Sequence, residues 1–167
     1  MKEIKTLGGI GAILGLLIFL PYIGFALEIA SIVLLLVTMS KLSTYYNNKE
    51  IFNKYLIGFI LSIVSGLVLI ISLGTAILSL FILSQKGLSI LEGGLTFLII
   101  GYILMIIGMV NWKKSFSLLS NLTNINYFNI AGNLYLWGAI TTPILIGGIL
   151  LIAADIVLAI AFFNLPD

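Results

Sequence analysis

Three carboxylates could do chemistry in this chain, because each lies in or beside an apolar stretch: Glu28 after the turn Pro21-Tyr22-Ile23-Gly24, Glu92 at the head of a block, and Asp155 inside the last one. An ionisable group among apolar residues is costly to keep and often marks the path of a proton or cation. Asp155 is set deepest in its block, which makes it the leading candidate for an ion or proton site, with Glu28 as its partner. The plainer reading treats Glu28 and Glu92 as helix-start carboxylates, placed where a negative charge suits the helix dipole.

Little else offers reactivity. The sequence has no Cys and no His, so thiolates, disulfides, iron-sulfur clusters and the commonest zinc and haem ligands are missing. All eight basic residues are Lys, which removes the guanidinium fork for bidentate phosphate recognition. A net charge of +2 is too small for a nucleic-acid footprint, so no nucleic-acid partner is expected. The run Leu7-Gly8-Gly9-Ile10-Gly11 follows no strand, so its glycines are not a dinucleotide fingerprint. No catalytic residue, metal site or cofactor is expected, and the chain reads as a non-enzyme.

The elements that position these carboxylates are set by lipid. Hydrophobic residues make up 61% of the chain and charged ones 8%, whereas a soluble domain carries roughly 25% charged residues. The fold class is therefore all-α, a polytopic transmembrane helix bundle in one domain over residues 1–167. Apolar blocks run over about 7–20, 23–39, 55–83, 95–112 and 134–163, giving four to five crossings. The first block, about 21 Å long as a helix, falls short of a ~30 Å hydrocarbon core. It can be a thin span, a re-entrant segment or the front half of a bent helix.

Lysine placement favours a hairpin turning at Pro21. Lys2, Lys5, Lys41, Lys49, Lys54, Lys113 and Lys114 then share one side and Lys86 alone is opposite, a positive-inside pattern that puts the N-terminus in the cytoplasm of a multi-pass cell-membrane protein. A re-entrant first hairpin gives the same charge split. A secretory leader is the rival reading of the start, since residues 1–5 are basic and Gly24-Phe25-Ala26 offers small residues at cleavage-like positions. The immediate return of apolar sequence after Ala26 favours the hairpin. The sequon Asn121-Leu122-Thr123 falls on the inner side, where it stays unmodified.

Two further patterns concern architecture. A shift of roughly 77 residues lays Leu42-Ser43 and Phe52-Asn53 near Leu119-Ser120 and Phe128-Asn129, as a duplicated helical hairpin would, with units of about 21–84 and 91–166 after an N-terminal helix 5–20. Small residues also recur at helical spacing. Gly58, Ser62, Gly66 and Gly74 form one packing seam, Gly11 and Gly15 another, and Gly94, Gly101 and Gly108 a third at seven-residue intervals. Packing within one chain is the favoured use of these seams, and packing between subunits the alternative.

Pro21 and Pro143 are helix-break positions. Thr141-Thr142-Pro143-Ile144 interrupts the last block, where the flanking hydroxyls can satisfy freed carbonyls, and an ordinary kink is favoured over a functional hinge. From Trp112 onward, Phe116, Leu119, Leu122 and Ile125 repeat every three or four residues, with Lys113, Lys114, Ser117 and Asn121 off the stripe. A connector resting on the membrane surface is the favoured reading of this segment, ahead of an extension of the fourth helix.

Leu7-Gly8-Gly9-Ile10-Gly11, Pro21-Tyr22-Ile23-Gly24, Ile51-Phe52-Asn53, Trp112 with Ser115-Phe116, Phe128 with Ala131-Gly132, Gly138-Ala139 and Ala159-Ile160-Ala161-Phe162-Phe163 with Leu165-Pro166 together resemble an uncharacterised, mainly archaeal family of small multi-pass membrane proteins, a domain of unknown function. The resemblance spans nearly the whole chain. It implies membrane location, a helical fold and archaeal origin, and brings no activity or site residues.

The functional expectation is a non-enzymatic accessory, assembly or membrane-organising protein acting through helix packing. The alternative is a small oligomeric permease or channel subunit that moves a proton, cation or small solute. Expected partners are membrane lipids and either further copies of the chain or a larger membrane complex.

Overall fold

A computed structural model describes residues 1–82, 85–144 and 146–166. The described residues form six α-helices: α1 (Lys2–Leu16), α2 (Gly24–Tyr45), α3 (Lys49–Phe81), α4 (Gln85–Thr123), α5 (Asn126–Thr141) and α6 (Ile146–Phe163), with short 3-10 turns at Leu17–Phe19 and Thr142–Ile144. No strand occurs among the described residues. Among the described residues four helices are long and apolar enough to cross a membrane, over Gly24–Tyr45, Lys49–Ser79, Gly87–Thr123 and Ile146–Phe163. In lipid a helix satisfies its own backbone, which is why such apolar blocks coil.

The reversals are written in the residues that cannot continue a helix. Pro21 stands between the first 3-10 turn and α2, beside Tyr22 at φ 69°. Asn47 (φ 49°) and Asn124 (φ 58°) turn the chain at the α2–α3 and α4–α5 links, a left-handed conformation that asparagine tolerates better than most residues. Asn48 then caps α3, its side chain accepting from Glu50 N at 3.0 Å.

Pro143 does more than kink. Tyr135 meets Asp155, Gly138 meets Leu151 and Phe128 meets Phe162, so α5 and α6 run antiparallel and the expected single span over 134–163 is in fact a tight hairpin. Two glycines allow it. A Cβ on Gly147 would lie 2.2 Å from Gly138 O and 2.5 Å from Thr142 N.

Each helix packs against the next in sequence, and α6 packs back against α1, so the six close a ring. Phe162 lies over Gly8 and Phe163 over Gly9, where a Cβ would fall 2.5 and 2.4 Å from the respective rings. Serine hydroxyls on one helix donate to carbonyls on the neighbour: Ser31 to Gly11 O at 2.8 Å, Ser65 to Gly101 O at 2.8 Å, Ser72 to Gly94 O at 2.7 Å and Ser115 to Ile51 O at 2.7 Å. Helix ends alternate, which gathers the backbones of residues 2, 5, 41, 49, 54, 113 and 114 toward one end and that of residue 86 at the other. The side chain of Lys86 lies outside the described residues. Glu3 and Lys41 form an ion pair at the lysine end, joining α1 to α2.

Fully buried Met39, Leu42, Ile51, Leu119, Phe128 and Phe162 make a dry core in the half of the ring nearer the lysine end. Phe116 and Leu119 of the amphipathic stripe belong to it. The segment from Trp112 is thus the continuation of α4, with its apolar face turned into the bundle and not onto the membrane surface. At the other end α3 and α4 outrun their neighbours. Tyr102 donates to Ile140 O at 2.6 Å, in the last turn of α5, and residues 85–101 continue for about 25 Å beyond it. Leu67, Ile70, Leu73, Leu88 and Ile99 are exposed along this arm.

The Gly58 seam is used only in part. Gly58 faces Gly108 and Trp112, and Ser62 donates to Gly58 O at 2.9 Å. Gly66 and Gly74 face open space, with nothing within 4 Å of an added Cβ, so they are not intramolecular packing positions; Ser65 and Ser72 are. Gly94, Gly101 and Gly108 do face α3. Gly147→Val therefore drives a Cβ into α5, and thermal unfolding in detergent is expected to show a loss of at least 1–3 kcal/mol, whereas Gly66→Leu leaves monomer stability within about 0.5 kcal/mol.

Candidate functional site

The ring encloses a cavity of about 210 Å³ to which every helix contributes, from Gly15 of α1 to Asp155 and Leu158 of α6. Among the described residues two carboxylates line it, Asp155 and Glu28, and no basic side chain does. A second hollow of about 220 Å³ shares Gly15, Glu28, Leu151 and Asp155 with the first and is bordered by Leu16, Ile18 and Gly148. The acids thus stand where an inner chamber meets a vestibule facing the reversals at Pro21 and Pro143. Toward the lysine end Phe116, Phe128, Phe162 and Leu158 are fully buried and stop the chamber.

Asp155 is held by a neighbouring helix. The Tyr135 hydroxyl of α5 donates to Asp155 Oδ1, which fixes the carboxylate's rotamer. Its register follows from the α5–α6 hairpin: the Gly138–Leu151 contact places Tyr135, one turn along α5, opposite Asp155, one turn along α6. Glu28 is half-buried on α2. Its Oε2 lies 3.9 Å from where a Cβ on Gly15 would stand, so α1 runs beside the acid. Ser31, one turn on, spends its proton on Gly11 O.

The rest of the wall is aromatic. Trp112 stacks on Tyr55 with centroids 5.4 Å apart and rings 7° from parallel, while Phe116 lies 5.9 Å from Tyr135 at 21°. Edge contacts at 6.0 Å (Tyr55 with Phe116) and 5.3 Å (Trp112 with Tyr135) join these pairs into one cluster. The Trp112 indole N–H donates to Tyr55 O at 3.0 Å, so α4 is pinned to α3 at the level of the chamber. Among the described residues no three His, Cys, Asp or Glu side chains gather as a metal site.

Of the residues singled out from sequence, Asp155 and Glu28 come together. Gly58 and Ser62 pack just behind the wall under Trp112, Pro21 and Pro143 mark the vestibule end, and Gly66 and Gly74 lie outside on α3. Glu92 is exposed on the arm, away from the cavity. Tyr55 and Tyr135 complete the site without lying in any sequence motif. Their one signal is a phenol inside an apolar helix, whose hydroxyl needs a partner.

A helical bundle with four helices fit to span a bilayer, enclosing acids in an aromatic chamber, defines a polytopic membrane protein. Residues 27–156, a stretch that begins just before Glu28 and ends just after Asp155, match the family described as protein of unknown function (DUF996), and the chain belongs to it. It is 39% identical over 168 residues to the uncharacterized protein MJ1644 of Methanocaldococcus jannaschii, covering 100% of this chain and 94% of that protein. No solved structure matches. Nothing in these likenesses points to a catalytic activity.

The wall's role in the fold is measurable. Trp112→Ala removes a ring stacked on Tyr55 and a bond to its carbonyl, and is expected to cost about 3–5 kcal/mol in detergent unfolding. Trp137, 57% exposed, serves as the control, with Trp137→Ala changing stability by less than about 0.5 kcal/mol.

Proposed function

We propose that this chain is a non-enzymatic membrane protein that binds a small cation, a proton included, in the ring cavity and acts as a permease or channel subunit, with Asp155 as the principal ligand and Glu28 as its partner. The observation that carries this reading is the cavity itself, lined among the described residues by two carboxylates and no basic side chain. Negative charge in a low-dielectric interior needs compensation, and a bound cation supplies it. Asp155 keeps one carboxylate oxygen clear of the Tyr135 bond that holds the other. The dry layer beyond the chamber fits a site loaded from the vestibule side, one half of an access cycle.

In proteoliposomes, cation or proton flux is expected for the native chain and its loss for Asp155→Asn, which keeps the acceptor for Tyr135 but removes the charge. Equal flux through both proteins would refute the role of Asp155. A second reading, an accessory or assembly protein acting through helix packing, draws support from the exposed apolar arm of α3 and α4. It predicts no flux in either variant and a fixed partner on purification.

The lysine end is assigned to the cytoplasm by the positive-inside rule. Because the chain has no Cys, single cysteines report this cleanly. Tyr22→Cys, at a fully exposed position, should be labelled by an impermeant maleimide in intact cells, and Lys49→Cys only after permeabilisation. The reverse pattern would invert the orientation.

A further inference from the structure

We propose that the cation accepted by this cavity is an organic ammonium, an alkylated or quaternary amine, and not a bare metal ion; this inference rests on the cation-binding function proposed above. Three features of the wall lead to it, and each concerns what lies around the carboxylates.

The first is the aromatic cluster. Tyr55, Trp112, Phe116 and Tyr135 all line the chamber, with Phe59 beside them. Ring faces attract a cation, and most effectively one that sheds little hydration on entry, as alkylated ammonium ions do. A proton relay or an alkali-metal site has no use for five rings. The packing of these rings against one another holds their orientation without a ligand, so little ordering is left for binding to impose.

The second is a shortage of oxygen. A hard metal ion stripped of water takes about six oxygen ligands. The chamber offers two carboxylates and the hydroxyls of Ser31, Tyr55 and Tyr135, spread over four helices, and no cluster of three acidic or other metal-ligating side chains among the described residues. The apolar remainder, with Ile32, Leu35, Met109, Leu151 and Leu158, suits alkyl groups. The third is size. A volume of about 210 Å³ corresponds to about seven waters at ~30 Å³ each, far more than a dehydrated ion fills and suitable for a cation carrying several carbons. Asp155 and Glu28 at the vestibule junction would meet the ammonium centre while its alkyl groups reach inward to the rings.

The test uses the full chain in a neutral maltoside detergent with Trp137→Phe, which leaves Trp112 as the only indole. Tetraethylammonium chloride is titrated against Trp112 emission, with sodium and potassium chloride at matched ionic strength. A saturable change with tetraethylammonium is expected, lost in Asp155→Asn and weakened about 2- to 30-fold in Phe59→Leu, which leaves both acids in place. Binding of sodium or potassium as tight as that of tetraethylammonium, or tighter, overturns the organic-cation inference and leaves the cation-binding function standing. No response to any of the three salts, from protein that elutes as a single folded species, overturns the organic-cation inference and restricts the proposed cation to the proton. A tetraethylammonium response unchanged in both variants places binding elsewhere and also overturns the inference.

Discussion

Two phenylalanines resting on two glycines hold this architecture shut. Phe162 and Phe163, at the end of α6, lie on Gly8 and Gly9 of α1, and that contact turns a file of six antiparallel helices into a ring. Without it α1 and α6 would each present an open flank, and Asp155 and Glu28 would face lipid. In hydrocarbon an exposed carboxylate is costly by several kcal/mol even on the most lenient scales. The closure therefore decides whether the acids of this chain are tolerable at all.

The remaining contacts follow a similar logic of close approach. Helices in lipid gain nothing from the hydrophobic effect, so packing and interhelical hydrogen bonds must associate them. Here glycines bring backbones together and serines exploit the proximity, with Ser31, Ser65 and Ser72 each donating to a carbonyl on the facing helix. Bonds of this kind contribute about 0.6 kcal/mol each on average, so the seams depend on their number. The aromatic cluster at the chamber adds a large, rigid contact, and it does so beside the carboxylates. Structure and site thus share residues: Trp112 braces α3 against α4 and is also the wall a ligand would meet.

Much of this was legible in the sequence, because lipid leaves a chain few options. The apolar blocks predict the helices, Pro21-Tyr22 the first reversal, and the heptad spacing of Gly94, Gly101 and Gly108 a packing face. Asp155 and Glu28 could be ranked by depth alone. What was not legible depended on partners. Thr142-Pro143 reads equally as a kink or a reversal, and only Gly138 meeting Gly147 makes it a hairpin. Ser65 and Gly66 are adjacent, yet one faces α4 and the other open space, a difference of 100° around the helix that periodicity of small residues could not resolve. The stripe from Trp112 to Ile125 looks the same whether it faces a membrane surface or a protein core. Tyr135 became visible only once α5 lay beside α6.

The central claim is that α6 closes on α1 to enclose the acids, and it can be measured in a chain free of native cysteine. A Cβ built on Gly8 falls 2.6 Å from Phe162 Cγ, so cysteines at these two positions stand close enough for a disulfide, whose Cβ atoms are separated by ~3.5–4.5 Å. Oxidation of the Gly8→Cys, Phe162→Cys double variant in native membranes should yield an intramolecular crosslink, seen as a reducible mobility shift at monomer size. Failure to crosslink, or crosslinks only between chains, would contradict the closed ring.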